Sequence, residues 1–318
     1  MYRRPTFKDV LRAKNLIAPY LEKTPLLQYP SLSELLGCEV YVKHENMLPT
    51  GAFKVRGGIN LVSQLSAEEK ERGVIAVSTG NHGQSIAYAS RLFGVKAVIC
   101  VPDGANPDKV AAIKRFGAEI VEWGKEYDDA KENAERLAEE KGLRYIHSGN
   151  EPLLIAGVGT IGLEILEDLP EVDVVIAPVA AGTQASGVAI VMKAASADIQ
   201  VIGVQAENAP GTYLSWKSGD LVTTDSASTI ADGLALRGGF RLPVDIMRNL
   251  LDDFVLVSED ELRNAIRLYV EKAHTVAEAA GAASLAAGIK IKDRLKGKKV
   301  VFVLSGGNIT AEMLREIL

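Results

Sequence analysis

The sequence predicts an α/β protein built from two doubly wound parallel-sheet domains. Short β-branched strands alternate with helical segments of ten or more residues, and this alternation occurs twice along the chain. Helical connections of that length favour parallel strand pairing, and the nearly continuous apolar runs of the strands indicate sheets covered on both faces. The 318 residues are enough for two hydrophobic cores.

The first alternating series occupies the N-terminal half. Thr6 and Asp9 form the pattern of a capping box, and the apolar spacing after them predicts a helix that ends near residues 20–21. A loop with two prolines is expected next. The remaining predicted elements are strand 39–43, strand 74–77, helix 84–93, strand 97–101, helix 108–116, strand 119–121 and helix 128–141.

The second series follows the same pattern. Its predicted elements are helix 153–166, strand 172–177, a helix after Gly182, strand 201–204, strand 254–257, two helices between 259 and 291, and strand 300–304. Between them, residues 208–241 are rich in Gly, Ser, Thr and Pro and show no sustained period. Because loops of this length are seldom without a role, we expect this segment to cover a site.

Composition restricts the class of function. The net charge of -5 is spread along the chain, so the sequence shows no basic patch of the kind that binds nucleic acid or an anionic membrane. A small-molecule ligand is expected instead. Cys38 and Cys100 lie far apart in or beside apolar runs, which suits reduced thiols. The N-terminus lacks the apolar run of a signal peptide, and no stretch reaches membrane-spanning length, so we expect a cytoplasmic protein.

Four turns of small residues occupy the positions where ligands gather in parallel sheets. Each lies where a strand gives way to a helix or loop, and the four turns cover residues 50–54, 78–83, 178–183 and 305–308. Free backbone N–H groups and helix dipoles favour anions at such points. No second His or Cys stands at ligand spacing from His82, so no transition-metal site is predicted.

Taken singly, these residues leave structural roles open. Lys54 alone would far more often be a solvated surface charge, and the 78–83 turn alone is as easily a helix N-cap with a glycine turn. His82 alone favours a structural role over a proton shuttle. The convergence of the four turns is therefore more informative than any one of them.

Together the motifs resemble those of fold-type II pyridoxal-phosphate (PLP) enzymes, and most closely the threonine and serine dehydratases and the related serine racemases. The segments that carry the resemblance are 45–57, 78–84, 278–282 and 305–308, in order over essentially the whole chain. The resemblance implies the tryptophan synthase β-subunit-like fold with PLP in the cleft between the domains. It further implies a large PLP-binding domain over 1–50 plus 149–318 and a small mobile domain over 51–148.

The resemblance also implies roles for individual residues. Lys54 would hold PLP covalently and then act as the base at the substrate α-carbon, with Thr79 as a second catalytic group. The remaining cofactor contacts would be Phe53 beside the ring, Asn81 on the ring hydroxyl, Glu278 near the ring or entering amine, Ser305 at the pyridine nitrogen, and Ala180, Ala181, Gly182, Thr183 and Gln184 at the phosphate. The substrate carboxylate would bind at Ser78, Thr79, Gly80, Asn81 and His82.

The activity implied is an ammonia-lyase reaction that converts L-threonine, L-serine or both to the 2-oxo acid and ammonia. A racemase or bifunctional racemase–dehydratase is the alternative, because Thr79 places a hydroxyl where threonine dehydratases commonly have alanine and serine racemases have serine. A β-replacement synthase is less favoured, since those relatives have aspartate where Val55 stands. A nucleotide-binding or regulatory α/β protein without chemistry is the alternative from another class.

Three further expectations concern binding and assembly. Ala180 and Ala181 stand where related enzymes carry glycines, so either these positions have ordinary backbone angles or cofactor binding is weakened. Asp232 is a candidate for binding a monovalent or divalent cation or shaping the entrance, although a turn or cap role fits equally. A homodimer or homotetramer is the expected assembly.

Overall fold

Ten strands form two sheets in the computed structural model, which describes residues 3–318. Met1 and Tyr2, with which the predicted large domain begins, lie outside the described residues. The strands are β1 Leu26–Gln28, β2 Glu39–His44, β3 Val74–Val77, β4 Ala97–Val101, β5 Glu119–Glu122, β6 Arg144–Tyr145, β7 Val174–Pro178, β8 Gln200–Ala206, β9 Asp253–Val257 and β10 Lys299–Leu304.

The two sheets are almost entirely parallel. The six-stranded sheet has the order β1-β2-β10-β7-β8-β9, and only its edge strand β1 runs antiparallel to its neighbour. The four-stranded sheet has the order β5-β4-β3-β6 and is parallel throughout. The predicted α/β class with two parallel-sheet units is confirmed.

Helices cover both sheets and account for most of the connections. They are α1 Phe7–Ile17, α2 Pro30–Leu36, α3 Lys54–Ser63, α4 Ala67–Arg72, α5 Asn81–Leu92, α6 Pro107–Lys114, α7 Tyr127–Lys141, α8 Pro152–Asp168, α9 Thr183–Ala195, α10 Gly211–Ser218, α11 Arg241–Leu250, α12 Glu259–Ala273, α13 Ala279–Lys290, α14 Lys292–Leu295 and α15 Ala311–Ile317, with short 3₁₀ helices at Glu45–Met47 and Asp232–Leu234.

The N-terminal region differs from the prediction in two places. Helix α1 begins with the expected Thr6–Asp9 capping box but ends at Ile17, because Pro19 has no N–H to continue the ladder. The stretch expected to be a loop contains β1 and α2. Pro30 in the first turn of α2 and Gly37 at its end, with φ of 69°, fit the preference for proline at helix starts and glycine at helix ends.

The central strands are as fully buried as their apolar sequences predict. Every residue of β3, β4 and β7 is buried, and α8 packs against α9 through glycines. A Cβ atom on Gly187 would lie 2.6 Å from the carbonyl oxygen of Ile155, so only glycine permits this approach. Cys38 and Cys100 are free and buried, as expected. Across residues 3–318, no helix is both long enough and apolar enough for a membrane span.

Candidate active site

A cavity of ≈260 Å³ lies between the two sheets, and the four predicted turns meet in it. Strands β3, β7 and β10 all end at this cavity, with Ser78 following β3 and Ser305 following β10. All the site residues predicted from the sequence line it, namely Phe53, Lys54, Ser78, Thr79, Gly80, Asn81, His82, Ala180, Ala181, Gly182, Thr183, Gln184, Glu278 and Ser305. The sheet geometry therefore brings together residues that are more than 200 positions apart in the sequence.

Four helices begin at the cavity wall. The first residues of α3, α5, α9 and α13 are Lys54, Asn81, Thr183 and Ala279, and each of the four lines the cavity. A helix N-terminus carries unpaired N–H groups and a positive partial charge. The cavity is therefore suited to a ligand with several anionic groups.

Lys54 stands at the junction of the two halves. The preceding turn is bonded to the turn after β10, since the N–H of Phe53 donates to the carbonyl of Ser305 at 3.0 Å. The Lys54 amine lies 4.9 Å from the centre of the Phe53 ring. Burial lowers the pKa of Lys54 to about 8, against a smaller opposing effect of the Glu278 carboxylate. A partly neutral amine therefore faces the cavity near physiological pH.

Glu278 lines the same cavity as Lys54, and its carboxylate acts electrostatically on the Lys54 amine. It occupies the N-cap position of α13, and its Oε1 atom accepts a hydrogen bond of 2.8 Å from Nδ2 of Asn81. Burial raises the pKa of Glu278 to about 7, although the bond from Asn81 and the nearby Lys109 and Lys54 ammonium groups favour the charged form. Glu278 and Lys54 thus both titrate near neutrality in one cavity.

The turn from Ser78 to His82 presents hydroxyl and N–H groups rather than a titrating imidazole. The Oγ atom of Ser78 accepts a bond of 3.1 Å from the N–H of Gly80. Burial and the neighbouring Lys54 lower the pKa of His82 to about 3, so this ring is neutral at pH 7. Helix α5 starts at Asn81 and not at residue 84 as predicted, because the polar first turn shows no apolar period.

The Ala180–Gln184 loop has ordinary backbone angles at both alanines. Within residues 3–318, His274 is the one non-glycine residue with positive φ, and Gly182, at φ of 85°, makes the turn into α9. Both amide atoms of the buried Gln184 side chain lack a partner among residues 3–318. Buried amides are normally paired, so the Nε2 donor of Gln184 suits a ligand with acceptor oxygens, while its Oε1 atom calls for a hydrogen-bond donor.

Residues 208–241, here called the cover segment, form one wall of the cavity through Ile230 and residues 232–236, as expected. Asp232 pairs with Lys109 of α6, and Arg237 lies 3.6 Å from Asp128 of α7. The cover segment is therefore linked by ion pairs to two helices, α6 and α7, that pack on the smaller sheet. Within residues 3–318 no three His, Cys, Asp or Glu side chains form a cluster that could hold a metal ion.

Several lining residues were missed by the sequence analysis. They include Lys109, Tyr127 and Ser148, whereas Asn308 lies in the predicted 305–308 turn but was given no role of its own. Lys109 and Tyr127 stand near the starts of α6 and α7, after β4 and β5 of the smaller sheet. The rule that ligands gather at the carboxyl ends of parallel strands could have identified these two.

A buried ionic cluster supports the helix that begins with Lys54. Arg56 donates to Glu45 at 2.6 and 2.9 Å and to Glu164 at 2.6 and 2.8 Å, while Lys43 donates to Glu164 at 2.6 Å. Thr24 and Thr160 accept further bonds from Arg56. The cluster joins the start of α3 to β2, the adjacent 3₁₀ helix and α8. It fixes the base of the Lys54 turn.

Comparisons with known proteins place the chain among enzymes that use a cofactor. The model of a family described as "Pyridoxal-phosphate dependent enzyme" matches residues 17–306. The chain is 41% identical over 313 residues to L-threonine ammonia-lyase of Thermotoga maritima, covering 98% of this chain and 78% of that one. It is 38% identical to L-threonine dehydratase catabolic TdcB of Escherichia coli K12, covering 97% and 94%. The structure of maize serine racemase superposes with a TM-score of 0.94 at 31% identity, covering 99% and 97%.

Proposed function

We propose that this chain, which belongs to the family of pyridoxal-phosphate-dependent enzymes, is an ammonia-lyase that converts L-threonine, L-serine or both to the 2-oxo acid and ammonia. The observation that carries the proposal is the Lys54 amine, with its pKa lowered to about 8, in a cavity ringed by helix N-termini. The identity of 38–41% to the threonine ammonia-lyase and dehydratase named above, over nearly the whole chain, supports the same activity.

The cavity fits PLP, the cofactor of the family. We assign covalent attachment to Lys54, the phosphate to Ala180–Gln184, and the ring hydroxyl to Asn81. The unpaired Nε2 donor of Gln184 and the free N–H groups at the start of α9 suit a phosphate. Phe53 would lie beside the ring, Ser305 at the pyridine nitrogen, and Glu278 near the ring or the entering amine.

When bound, PLP supplies the electron sink that acidifies the α-C–H bond of an attached amino acid. Lys54 accepts that proton. With a pKa of about 8, roughly a tenth of the free amine is neutral at pH 7 and able to act as a base. One water leaves and one is consumed, so threonine gives 2-oxobutanoate and ammonia, and serine gives pyruvate and ammonia.

The substrate carboxylate is assigned to the turn of Ser78, Thr79, Gly80, Asn81 and His82. The N-terminus of α5 supplies free N–H groups and a positive dipole end at this turn. His82 is neutral, so it positions by hydrogen bonding and does not supply charge. The cover segment forms one wall of the cavity and would help to keep water from the reacting carbon.

A 2-oxo acid assay tests the proposal. The purified protein is incubated with PLP and with L-threonine, L-serine or a bulkier 3-hydroxy amino acid, and 2-oxo acid release is followed. Lys54→Ala should lose activity, while Lys8→Ala, which removes an exposed lysine of α1, should keep it. Absence of 2-oxo acid from every substrate would reject the proposed reaction.

Racemisation is a second candidate activity, favoured by the Thr79 hydroxyl that lines the cavity and by the similarity to maize serine racemase. In this role Thr79 would return a proton to the face of the α-carbon opposite Lys54. Incubation with L-serine, followed by chiral analysis for D-serine alongside pyruvate, separates the two activities.

We further propose that residues 1–50 with 149–318 form a large PLP-binding domain and residues 51–148 a small mobile one. The separation of the two sheets supports this division. A cytoplasmic homodimer or homotetramer is the proposed state of the enzyme. Light scattering after size exclusion measures the assembly, and comparison of small-angle scattering with and without substrate measures the mobility of the small domain.

A further inference from the structure

Four polar groups form a continuous hydrogen-bonded chain across the cavity. The Nδ2 atom of Asn308 donates to the carbonyl of Thr50 at 2.8 Å and to Oδ1 of Asn81 at 2.7 Å. The Nδ2 atom of Asn81 then donates to Oε1 of Glu278 at 2.8 Å. Asn81 begins a helix packed on the smaller sheet, whereas Asn308 and Glu278 belong to the side of the larger sheet.

The two ends of this chain determine its direction. A backbone carbonyl can only accept a hydrogen bond, so Asn308 must turn its NH₂ group toward Thr50. The same NH₂ group reaches Asn81, which must therefore present its oxygen. At the other end the ionised Glu278 carboxylate also accepts, so the NH₂ group of Asn81 points toward it. The orientation of the Asn81 amide is thus set from both sides.

Two glycines provide the room for this arrangement. Gly51 has φ of 68°, and a Cβ atom there would overlap the Oδ1 atom of Asn308. A Cβ atom on Gly306 would lie 2.5 Å from Oε1 of Glu278. Both glycines belong to the turns that hold Lys54 and Ser305. The chain of amides is therefore built into the same turns as the proposed cofactor site.

The Asn81 NH₂ group has two N–H bonds, and Glu278 takes one of them. The second has no partner among residues 3–318, so it is available to an acceptor in the cavity, such as the ring oxygen of the cofactor. If the amide turned over, an oxygen would face that ring oxygen and repel it. Correct orientation of Asn81 is therefore worth a hydrogen bond to the cofactor.

We propose that Asn308 is a positioning residue that orients the Asn81 amide so that its NH₂ group faces the cofactor ring. This inference rests on the proposed function, in which Asn81 meets the ring hydroxyl of PLP. Asn308 is exposed at the rim of the cavity, so its role is to set an orientation and not to fill a core.

Asn308→Asp reverses the polarity without changing the shape. An aspartate accepts and cannot donate, so it repels the Asn81 oxygen and the amide turns over. We expect the dissociation constant of PLP to rise at least tenfold, about the contribution of one hydrogen bond. Asn308→Ala removes the guide without adding charge and should cause a smaller, severalfold loss. Asn15→Asp adds the same charge at an exposed position on α1 and should leave PLP affinity unchanged.

The double variant Asn308→Asp with Glu278→Gln separates orientation from structural support. The glutamine can donate to a turned-over Asn81, so every group in the chain regains a partner except the Thr50 carbonyl. In a double-mutant cycle the cofactor-free protein should recover free energy of unfolding relative to Asn308→Asp, while its affinity for PLP stays low. Affinity is measured by equilibrium dialysis of the holoenzyme, and stability by urea unfolding of the full chain.

Three results would overturn the proposal. They are unchanged PLP affinity in Asn308→Asp, unchanged affinity in Asn308→Ala, which would assign the aspartate effect to charge, and recovery of affinity together with stability in the double variant. The proposed function fails by a different result, because 2-oxo acid release and attachment at Lys54 are measured on the unaltered enzyme.

Discussion

Arg56 is the central residue of the buried ionic cluster behind Lys54. Its replacement by methionine tests how much this cluster contributes to the free energy of unfolding. Arg56 makes six hydrogen bonds, four of them to carboxylate oxygens. Without it, Glu164 keeps Lys43 at 2.6 Å, but within residues 3–318 the fully buried Glu45 keeps only the Thr24 hydroxyl, at 2.7 Å, as a hydrogen-bond partner. A buried charge left without its partner costs ~3–5 kcal/mol, so we expect a loss of that size.

Urea unfolding of the cofactor-free chain measures this loss. Arg136→Met is the matched control, because Arg136 pairs with Glu140 at 2.7 Å where both side chains are about half exposed, and such pairs contribute under ~1 kcal/mol. Adding Glu45→Gln to Arg56→Met removes the stranded charge and should recover part of the stability. Arg56 does not stabilise the buried carboxylates as proposed if Arg56→Met costs no more than the control, or if the double variant is less stable than Arg56→Met.

Three more predictions concern the cavity itself. Because the pKa of Lys54 falls from 10.5 to about 8 on folding, the unfolded chain binds more protons between these values. Lys54 therefore contributes stability that grows as pH rises through that window, whereas the buried Cys38 and Cys100 thiols, whose pKa values are raised to about 11, act in the opposite direction. Urea titrations should show the unaltered cofactor-free protein gaining stability relative to Lys54→Met across this window. Gly182→Ala places a Cβ atom 2.7 Å from Cε of Met247 at positive φ, so it should lose about 1–2 kcal/mol of stability and bind PLP less tightly. Gly94→Ala, also at positive φ but facing open space, should lose stability without losing PLP affinity, and equal affinity in both variants would contradict the assignment. Thr79→Ala should abolish D-serine formation and spare pyruvate release from L-serine, whereas equal loss of both would reject the role of Thr79.

The layered architecture could be predicted because buried parallel strands have a distinct sequence signature. Strand β4 was predicted with its observed bounds, and all five of its residues are buried. Such strands are covered on both faces, so their apolar runs are uninterrupted and easily delimited. The site followed from the same logic, since motifs that end parallel strands meet at one edge of the sheet.

Short elements at the edge of the larger sheet were missed because their sequences are governed by tertiary contacts. Strand β1 has three residues and one partner strand, so no alternation develops. Helix α2 has seven residues, too few for an apolar period to stand out. Its proline start and glycine end were the available signals, and both were assigned to a loop.

The ionic cluster shows where a single sequence gives little guidance. Lys43, Glu45 and Arg56 have the composition of solvated surface residues, and their partner Glu164 is more than 100 residues away. Glu164 itself was the one available signal, a lone charge within the apolar run of α8. Which cation would pair with it depends on how α3 and α8 pack, and local sequence patterns do not contain that information.

Covalent attachment of PLP at Lys54 underlies the whole proposed mechanism, and chemical trapping can locate it. The holoenzyme is reduced with borohydride and digested, and the modified peptide is identified by mass spectrometry. We expect the phosphopyridoxyl group on Lys54. Modification of a different lysine, or of none, would contradict this attachment.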